Sequence, residues 1–262
     1  MEIIFRVDGS SQIGYGHLVR SGALAEELVD GGHTVTVATT TPGPARGVFP
    51  DAVEVINLPS RGDSEPFVSW LDDATPDAVF TDAYPVDTAY QEAVRERASL
   101  AVLQDDTRHA VCADLLVNGN LYAPTLEYHF VGKSPETCLG TEYVLLRREI
   151  RALVMEDPPW REPPERAVVT FGGNDVAHLT PAAVQAFDGT DLRVDAIVGP
   201  GFSDRQEREI ETAASEVSAD VHVVRDPNDL PERLFQADFG VSTASSTVYE
   251  LLALGTPLIC VP

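Results

Sequence analysis

The sequence predicts an α/β protein made of two parallel-sheet domains in succession. β-Branched runs alternate with stretches of helical periodicity, a charged proline-rich segment interrupts this order at residues 156–165, and the alternation then restarts. Because four prolines among charged residues do not form a regular element, we interpret this segment as a linker. We therefore predict domains over residues 1–155 and 166–262.

The first domain opens with a strand, a glycine-containing loop and a helix. The first β-branched run stops at Asp8, the loop carries Gly14 and Gly16, and His17 begins a helix predicted to end at Asp30. Ligands of parallel sheets bind beyond the carboxyl ends of the strands, where this loop is predicted to lie. A histidine there is either a proton carrier or an ordinary surface residue. The loop also lacks the third glycine of the dinucleotide fingerprint.

The alternation continues through the first domain, and polar residues follow two of its strands. The predicted strands are 34–38, 53–58, 78–81, 100–103 and 115–117, and the predicted helices are 67–73, 87–97 and 147–155. Tyr84 follows the third of these strands, and Asp105 and Asp106 follow the fourth. We expect these side chains to face the same side as His17, although aspartate is also common in ordinary turns.

The second domain repeats the pattern and stops on a strand. Its predicted strands are 166–171, 193–198, 220–224, 239–242 and 257–261, and its clearest predicted helices are 180–187 and 245–254. A parallel strand needs cover on both faces. We therefore expect the sequence to be a truncated version of a longer reading frame, with the second domain incomplete.

Two loops of the second domain carry the candidates for binding a nucleotide. The first is glycine-rich, which lets backbone amides approach a ligand closely, and the second opens a helix whose amino end suits a diphosphate. The candidates are Gly172, Gly173, Asp175, Ser242, Ser245, Ser246 and Glu250. Glu250 lies one turn into that helix, where its carboxylate is predicted to bind ribose hydroxyls. A serine helix cap with Glu250 on a solvated face explains the second loop equally well.

The composition is strongly acidic. Asp and Glu number 42 against 18 Lys and Arg, for a net charge of −24, and Lys133 is the only lysine. The carboxylates are spread along the chain, which favours a protein adapted to strong salt, such as a haloarchaeal one. The charge argues against nucleic-acid binding, which needs a basic surface.

The cysteines and the hydropathy pattern indicate the cellular compartment. The three cysteines are far apart, with no metal-binding spacing and no disulfide framework. No apolar run reaches the length of a membrane span, and the N-terminus enters a strand directly rather than a signal peptide. We therefore predict a cytoplasmic protein.

The motifs in order resemble the UDP-2,4-diacetamido-2,4,6-trideoxy-β-L-altropyranose hydrolases of pseudaminic acid synthesis. These are relatives of GT-B glycosyltransferases, which include the peptidoglycan N-acetylglucosaminyltransferase. The similarity lies in residues 6–8, 13–20, 81–84, 104–106, 114–118, 145–149, 171–175 and 242–257. Each motif alone is weak, whereas eight in register are specific for the family.

The resemblance implies a GT-B-like fold, with two Rossmann-like domains facing a cleft that holds a UDP-sugar. His17 is then the general base that activates water for attack at the anomeric carbon, with no cofactor and no metal. The resemblance implies that the glycines, serines and Glu250 of the second domain bind UDP. It assigns sugar binding to the first domain, where our candidates are Asp8, Gly14, Gly16, Arg20, Tyr84 and Asp106.

Two other functions fit the same residues. A GT-B glycosyltransferase uses the same loops and histidine, with a hydroxyl acceptor in place of water. A non-catalytic protein that binds UDP-sugars is the third interpretation. The sequence leaves the sugar stereochemistry and the oligomeric state open.

Overall fold

A computed structural model describes residues 1–243 and 245–261. Ala244, in the predicted serine-rich loop, and Pro262, the last residue, lie outside the described residues. The chain divides into two compact units. The first unit comprises Met1–Gly9 and His17–Leu145, and the second comprises Ser10–Gly16 and Leu146–Pro262.

The strands of the first unit form one parallel sheet. Its strands are β1 (Glu2–Val7), β2 (Thr34–Thr39), β3 (Glu54–Asn57), β4 (Ala78–Asp82), β5 (Ser99–Leu103), β6 (Leu115–Asn118) and β7 (Glu136–Leu139). Within the described residues, the seven strands have the order β3-β2-β1-β4-β5-β6-β7. The order reverses between β1 and β4, and parallel sheets bind ligands at such a switch point.

The helices of the first unit connect these strands. They are α1 (Gly16–Asp30), α2 (Pro42–Arg46), α3 (Glu65–Ala74) and α4 (Thr88–Arg95), and α1 begins at the last residue of the Ser10–Gly16 segment. Asp87 caps α4 by accepting a hydrogen bond from the amide of Tyr90 at 2.9 Å. Buried aliphatic and aromatic side chains such as Ile4, Phe67 and Val79 form the core. Each such side chain contributes about 1.5–3 kcal/mol when removed from water.

The second unit contains a smaller parallel sheet and five helices within the described residues. Its strands are β8 (Arg166–Thr170), β9 (Arg193–Val198), β10 (Asp220–Arg225), β11 (Phe239–Thr243) and β12 (Leu258–Val261), in the order β10-β9-β8-β11-β12. Its helices are α5 (Arg148–Leu153), α6 (Thr180–Gln185), α7 (Asp204–Glu216), α8 (Leu230–Gln236) and α9 (Ser246–Ala253). The switch point lies between β8 and β11, so the two predicted nucleotide loops flank it.

The predicted linker lies within the second unit. The second unit resumes at Leu146, ten residues before the segment begins, because α5 packs its fully buried Ile150 into the core of the second unit. The backbone amides of Arg161 and Glu165 both donate to the carboxylate of Asp238, at 2.9 and 2.8 Å. These hydrogen bonds hold the proline-rich segment against the start of β11.

Two elements are absent from the sequence prediction. Strand β7 is an edge strand whose four residues are exposed or half-buried, so it lacks an alternating pattern. Helix α2 is five residues long and contains two prolines, which hide its helical character. Two further expectations stay predictions. One is that the two domains face each other across a cleft, and the other is that the sequence is truncated.

Candidate active site

His17 and Asp82 form a buried pair at the switch point of the first sheet. His17 is the second residue of α1, after β1, and Asp82 ends the neighbouring strand β4. The imidazole Nδ1 lies 2.5 Å from Oδ1 of Asp82. His17 is 8% exposed and Asp82 1% exposed, so water competes little for this hydrogen bond.

The hydrogen bonds around Nδ1 determine the tautomer of neutral His17. Nη2 of Arg20 lies 3.0 Å from Nδ1, but its two protons are taken by Oδ1 of Asp82 at 2.6 Å and Oδ2 of Asp105 at 2.9 Å. Nδ1 therefore carries the proton and donates it to Asp82. The other ring nitrogen, Nε2, is then the one with a free lone pair, as a general base requires.

Arg20 connects Asp82 to a second carboxylate. Its Nε donates to Oδ2 of Asp82 at 2.7 Å and its Nη1 donates to Asp105 at 2.9 Å. Burial by itself would raise the pKa of Asp82, but the charge of Arg20 and the hydrogen bonds from Arg20 and His17 lower that pKa well below its usual range. Burial likewise opposes the charge of Arg20, while Asp82 and Asp105 raise the pKa of its guanidinium. Asp82 is therefore a permanent anion at neutral pH.

The ring of Tyr84 contacts both the imidazole of His17 and a cation, the guanidinium of Arg108. Its ring meets the His17 ring edge to face, with centroids 4.7 Å apart, and the Arg108 guanidinium lies 4.7 Å from the Tyr84 centroid. Burial, followed by the charge of Asp105, raises the pKa of Tyr84. The phenol therefore keeps its proton at neutral pH and is able to donate a hydrogen bond to a ligand.

A pocket in the first unit brings several of the predicted residues together. His17, Arg20, Tyr84, Asp105, Asp106 and Arg108 are among the residues that line it. Asp106 is bound by Arg108, whose Nη2 lies 2.6 Å from Oδ2. Burial opposes the charge of Asp106, but its hydrogen bonds with Arg108 lower its pKa. The structure thus places Asp106 at the pocket wall as the partner of Arg108.

Asp8 lies in a separate, fully buried cluster. Its Oδ2 is 2.8 Å from Nη1 of the equally buried Arg6, and its Oδ1 accepts from the amide of Thr40 at 2.7 Å. Arg6 also donates through Nη2 to the backbone oxygen of Arg61 at 2.8 Å. Burial opposes the charge of Asp8, whereas Arg6 and Thr40 lower its pKa. The geometry gives Asp8 a structural task, and sugar binding by Asp8 stays a prediction.

Replacing Asp8 by asparagine is expected to destabilise the protein by about 3–5 kcal/mol, because the charge of Arg6 is left buried without an anion. Urea unfolding at constant KCl concentration measures this change. Arg61→Ala is the control, since Arg61 is partly exposed and 3.6 Å from Asp8. Unchanged stability combined with weaker substrate binding would instead place Asp8 among the ligand contacts.

In the second unit, the glycine-rich loop lies against the amino end of α9. Gly172 has a φ of +76°, and a Cβ built on it would lie 3.7 Å from Oγ of Ser245. Ser245 is the N-cap residue of α9, yet its side chain makes no cap hydrogen bond and its buried Oγ has no partner. Ser246 is the first residue of the helix. The amides and hydroxyls at this helix end are therefore free of the usual capping contact.

The remaining loop glycines differ in what surrounds them. The Ser10–Gly16 segment belongs to the second unit, where Gly14, with a φ of +97°, pairs with Ser10 in a short bridge. A Cβ on Gly173 would come within 2.8 Å of the Tyr15 ring, so glycine is required there by Tyr15. A Cβ on Gly16 would lie 3.5 Å from Oγ of Ser246. Ligand binding by these glycines stays a prediction.

Asp175 and Ser242 are engaged by the fold itself. The carboxylate of Asp175 accepts from the amides of Leu179 and Thr180, at 3.0 and 2.8 Å, and so caps α6. Ser242 is fully buried in β11 and donates to the backbone oxygen of Thr243 at 3.2 Å. The carboxylate of Asp175 and the hydroxyl of Ser242 thus already have protein partners. UDP binding by these two residues stays a prediction.

Glu250 is buried in α9 and paired with Arg147. Nε and Nη2 of Arg147 donate to Oε1 and Oε2 of Glu250 at 2.7 and 2.9 Å. The alternative of a solvated glutamate is therefore wrong, because the side chain is 6% exposed. The residue lies one turn into α9, as predicted.

The candidate residues chosen from the sequence omit Asp82, Asp105 and Arg147. Asp82 and Asp105 lie where strands end, but aspartate is also common in ordinary turns, so the sequence alone does not separate the two roles. Arg147 carries no local signal, because its partner Glu250 is 103 residues away in sequence. Among the described residues, no group of three or more His, Cys, Asp or Glu is arranged to hold a metal ion.

The chain is similar to two curated proteins. It is 27% identical over 186 residues to the UDP-2,4-diacetamido-2,4,6-trideoxy-β-L-altropyranose hydrolase of Campylobacter jejuni, covering 69% of this chain and 63% of the relative. It is 20% identical to the uncharacterised protein MJ1062 of Methanocaldococcus jannaschii, covering 99% of this chain and 55% of the relative. The chain thus spans between about half and two thirds of these relatives. No protein-family model matches the chain.

Solved structures share the fold at low sequence identity. MurG of Acinetobacter baumannii has a TM-score of 0.63 at 14% identity, covering 100% of this chain and 78% of that one. The fold is GT-B-like. The calicheamicin glycosyltransferase CalG4 also has a TM-score of 0.63, at 16% identity, covering 100% of this chain and 79% of that one. MnaA of S. aureus, solved with UDP, has a TM-score of 0.61 at 12% identity, covering 100% of this chain and 80% of that one.

The described helices include none that is long and apolar enough to cross a membrane.

Proposed function

We propose that this protein is a UDP-sugar hydrolase that uses His17 as general base. The observation that carries the proposal is the buried His17–Asp82 pair, which directs the free lone pair of the imidazole to Nε2. Nε2 takes a proton from water as the water oxygen bonds to the anomeric carbon. The bond from that carbon to the β-phosphate oxygen breaks, and its electron pair leaves with UDP.

The second unit supplies the proposed nucleotide site. The amino end of α9, with the unpartnered hydroxyl of Ser245 and the nearby Gly172, suits the diphosphate. In this proposal Glu250 binds the ribose. In this proposal, backbone amides and the helix dipole stabilise the negative charge that UDP gains on leaving.

The similarity to the Campylobacter hydrolase supports a proposal for the substrate class. We propose a UDP-2,4-diacetamido-2,4,6-trideoxyhexose, with the free sugar passing to nonulosonic acid synthesis, as in the pseudaminic acid route. Tyr84, held as a neutral phenol, and Arg20 are the proposed sugar-side residues. The acidic composition fits activity in strong salt, where a dianionic substrate meets less repulsion.

A glycosyltransferase is the second candidate, because CalG4 is described as a glycosyltransferase and shares the fold. In that reaction a hydroxyl of an acceptor replaces water, and the same imidazole removes its proton. Acceptor dependence of turnover separates the two functions.

The test is proton NMR of the proposed substrate with the protein in concentrated KCl and H₂¹⁸O, without acceptor. We expect UDP and free sugar to appear in the spectra, and we expect mass spectrometry of the UDP to find no ¹⁸O in its phosphates. Label in the phosphate would mean attack at phosphorus and would contradict the His17 mechanism. Turnover that appears only after a hydroxyl acceptor is added would favour the transferase. UDP binding without any turnover would leave the non-catalytic interpretation.

A further inference from the structure

The ion pair between Arg147 and Glu250 has the two-point geometry of a guanidinium and a carboxylate aligned side by side. Nε lies 2.7 Å from Oε1 and Nη2 lies 2.9 Å from Oε2, so each carboxylate oxygen accepts one hydrogen bond. Such a pair fixes the plane of the carboxylate as well as its position. Lysine provides a point charge and does not reproduce this constraint.

The backbone on both sides of the pair is anchored in one core. Leu146 and Ile150, which flank Arg147, pack in the same hydrophobic cluster as Leu251, the neighbour of Glu250. Ile150 and Leu251 are fully buried. The ion pair therefore joins two elements that packing already holds in place, and little side-chain freedom is lost when a ligand binds there.

The carboxylate of Glu250 retains capacity for two more hydrogen bonds. An ionised carboxylate has about four acceptor sites on its two oxygens, and Arg147 uses one on each. The remaining sites are the outward lone pairs, one on each oxygen, and they point away from each other. Each of these sites is able to accept a hydrogen bond from one hydroxyl donor, such as one hydroxyl of a ribose.

We propose that Arg147 is a positioning residue that orients Glu250 to bind the 2′-hydroxyl of the ribose of the nucleotide. This inference rests on the proposed function and assigns a role to the 145–149 motif, which the proposed function leaves without one. Arg147 also neutralises Glu250, which lies one turn from the helix end proposed for the diphosphate. Without Arg147, a buried negative charge would remain close to an anionic ligand.

The test compares the affinities of UDP and 2′-deoxy-UDP by isothermal titration calorimetry in concentrated KCl. For the unmodified protein we expect UDP to bind on the order of 10- to 100-fold more tightly, as one hydrogen bond to a charged group provides. In Arg147→Met, UDP affinity is expected to fall and the ratio to approach one. Arg147→Lys retains the charge, and we expect it to lose most of the discrimination through loss of the aligned geometry.

Arg233→Met is the matched control. Arg233 lies in the second unit, is 23% exposed against 27% for Arg147, and is 2.8 Å from a carboxylate oxygen of Asp195. Its loss is expected to leave the UDP to 2′-deoxy-UDP ratio unchanged. A ratio unchanged in folded Arg147→Lys would overturn the role of Arg147 while leaving the proposed function intact. Absence of UDP binding and turnover in the unmodified protein would instead overturn the proposed function, and the inference with it.

Discussion

His17→Asn is expected to lower kcat by about 10²- to 10⁴-fold, the range for removing a general base. Asparagine has no group that accepts a proton from water at neutral pH, while it roughly preserves the polar volume beside Asp82. UDP affinity is expected to stay within a few-fold, since the proposed nucleotide contacts lie in the second unit. The measurement is the initial rate of UDP release from the proposed substrate, together with calorimetry of UDP binding.

His33→Asn is the control for His17→Asn. His33 lies in the same unit but outside the pocket, where its Nδ1 is 3.3 Å from the N-terminal amine. We expect this variant to retain full activity. If His17→Asn also retained full kcat, His17 would not be the base and the proposed mechanism would fail.

Asp82→Asn is expected to reduce kcat by a comparable factor, although Asp82 contacts no substrate in the proposed mechanism. An amide at this position is able to donate to Nδ1, which favours the tautomer with the proton on Nε2 and removes the lone pair that accepts the proton of water. The substitution also leaves Arg20 with only the carboxylate of Asp105. Initial rates measured across the pH range, with UDP affinity alongside, test this prediction.

Ser21→Ala is the control for Asp82→Asn. It tests whether any disturbance of the hydrogen bonds to Asp82 lowers kcat, or only the loss of the Nδ1 tautomer of His17. Ser21 donates to Oδ2 of Asp82 at 3.1 Å, so its loss removes one neutral donor from the same carboxylate. We expect a stability loss of about 0.5–1.5 kcal/mol and little change in kcat. If Ser21→Ala reduced kcat as much as Asp82→Asn, the effect of Asp82 would be structural and unrelated to the tautomer.

The stability of Asp82→Asn should also respond less to acid than that of the unmodified protein. Burial would raise the folded-state pKa of Asp82, but the charge of Arg20, followed by the hydrogen bonds from Arg20 and His17, opposes burial, and the pKa is lowered. The stabilisation is therefore fully present above the unfolded pKa of about 4 and is lost as pH falls from there towards the folded value. Urea midpoints measured between pH 5 and pH 2 should decline less steeply in the variant.

Much of the fold was predictable because periodicity is a local property. The strand beginning at Arg166, the loop at Gly172 and the helix after Ser245 all follow from residue spacing, and the structure has these elements within a few residues of the predicted ends. The edge strand β7 was missed because its side chains are not buried in an alternating way. The division at Leu145 depends on what α5 packs against, and residue spacing along the chain does not show this.

The sequence predicts which strand ends form the candidate site, but not which side chains pair with each other there. Parallel strands place their carboxyl ends at one edge, so His17 and Tyr84 were expected on the same side of the sheet. The sequence does not reveal that Asp82 fixes the imidazole and holds Arg20. Nor does it reveal that Asp8 forms an ion pair with the buried Arg6, or that the side chain of Tyr15 packs against Gly173.

By itself, the sequence determined the two parallel-sheet units, the acidic surface charge and the loops that follow the strands. These features depend on residue type and spacing over short stretches, where the chain interacts mainly with itself and with solvent. The tertiary structure alone decided which polar group meets which. The Arg147–Glu250 pair joins residues far apart in sequence, and only the packing of Ile150 and Leu251 in a common core brings their side chains within hydrogen-bonding distance.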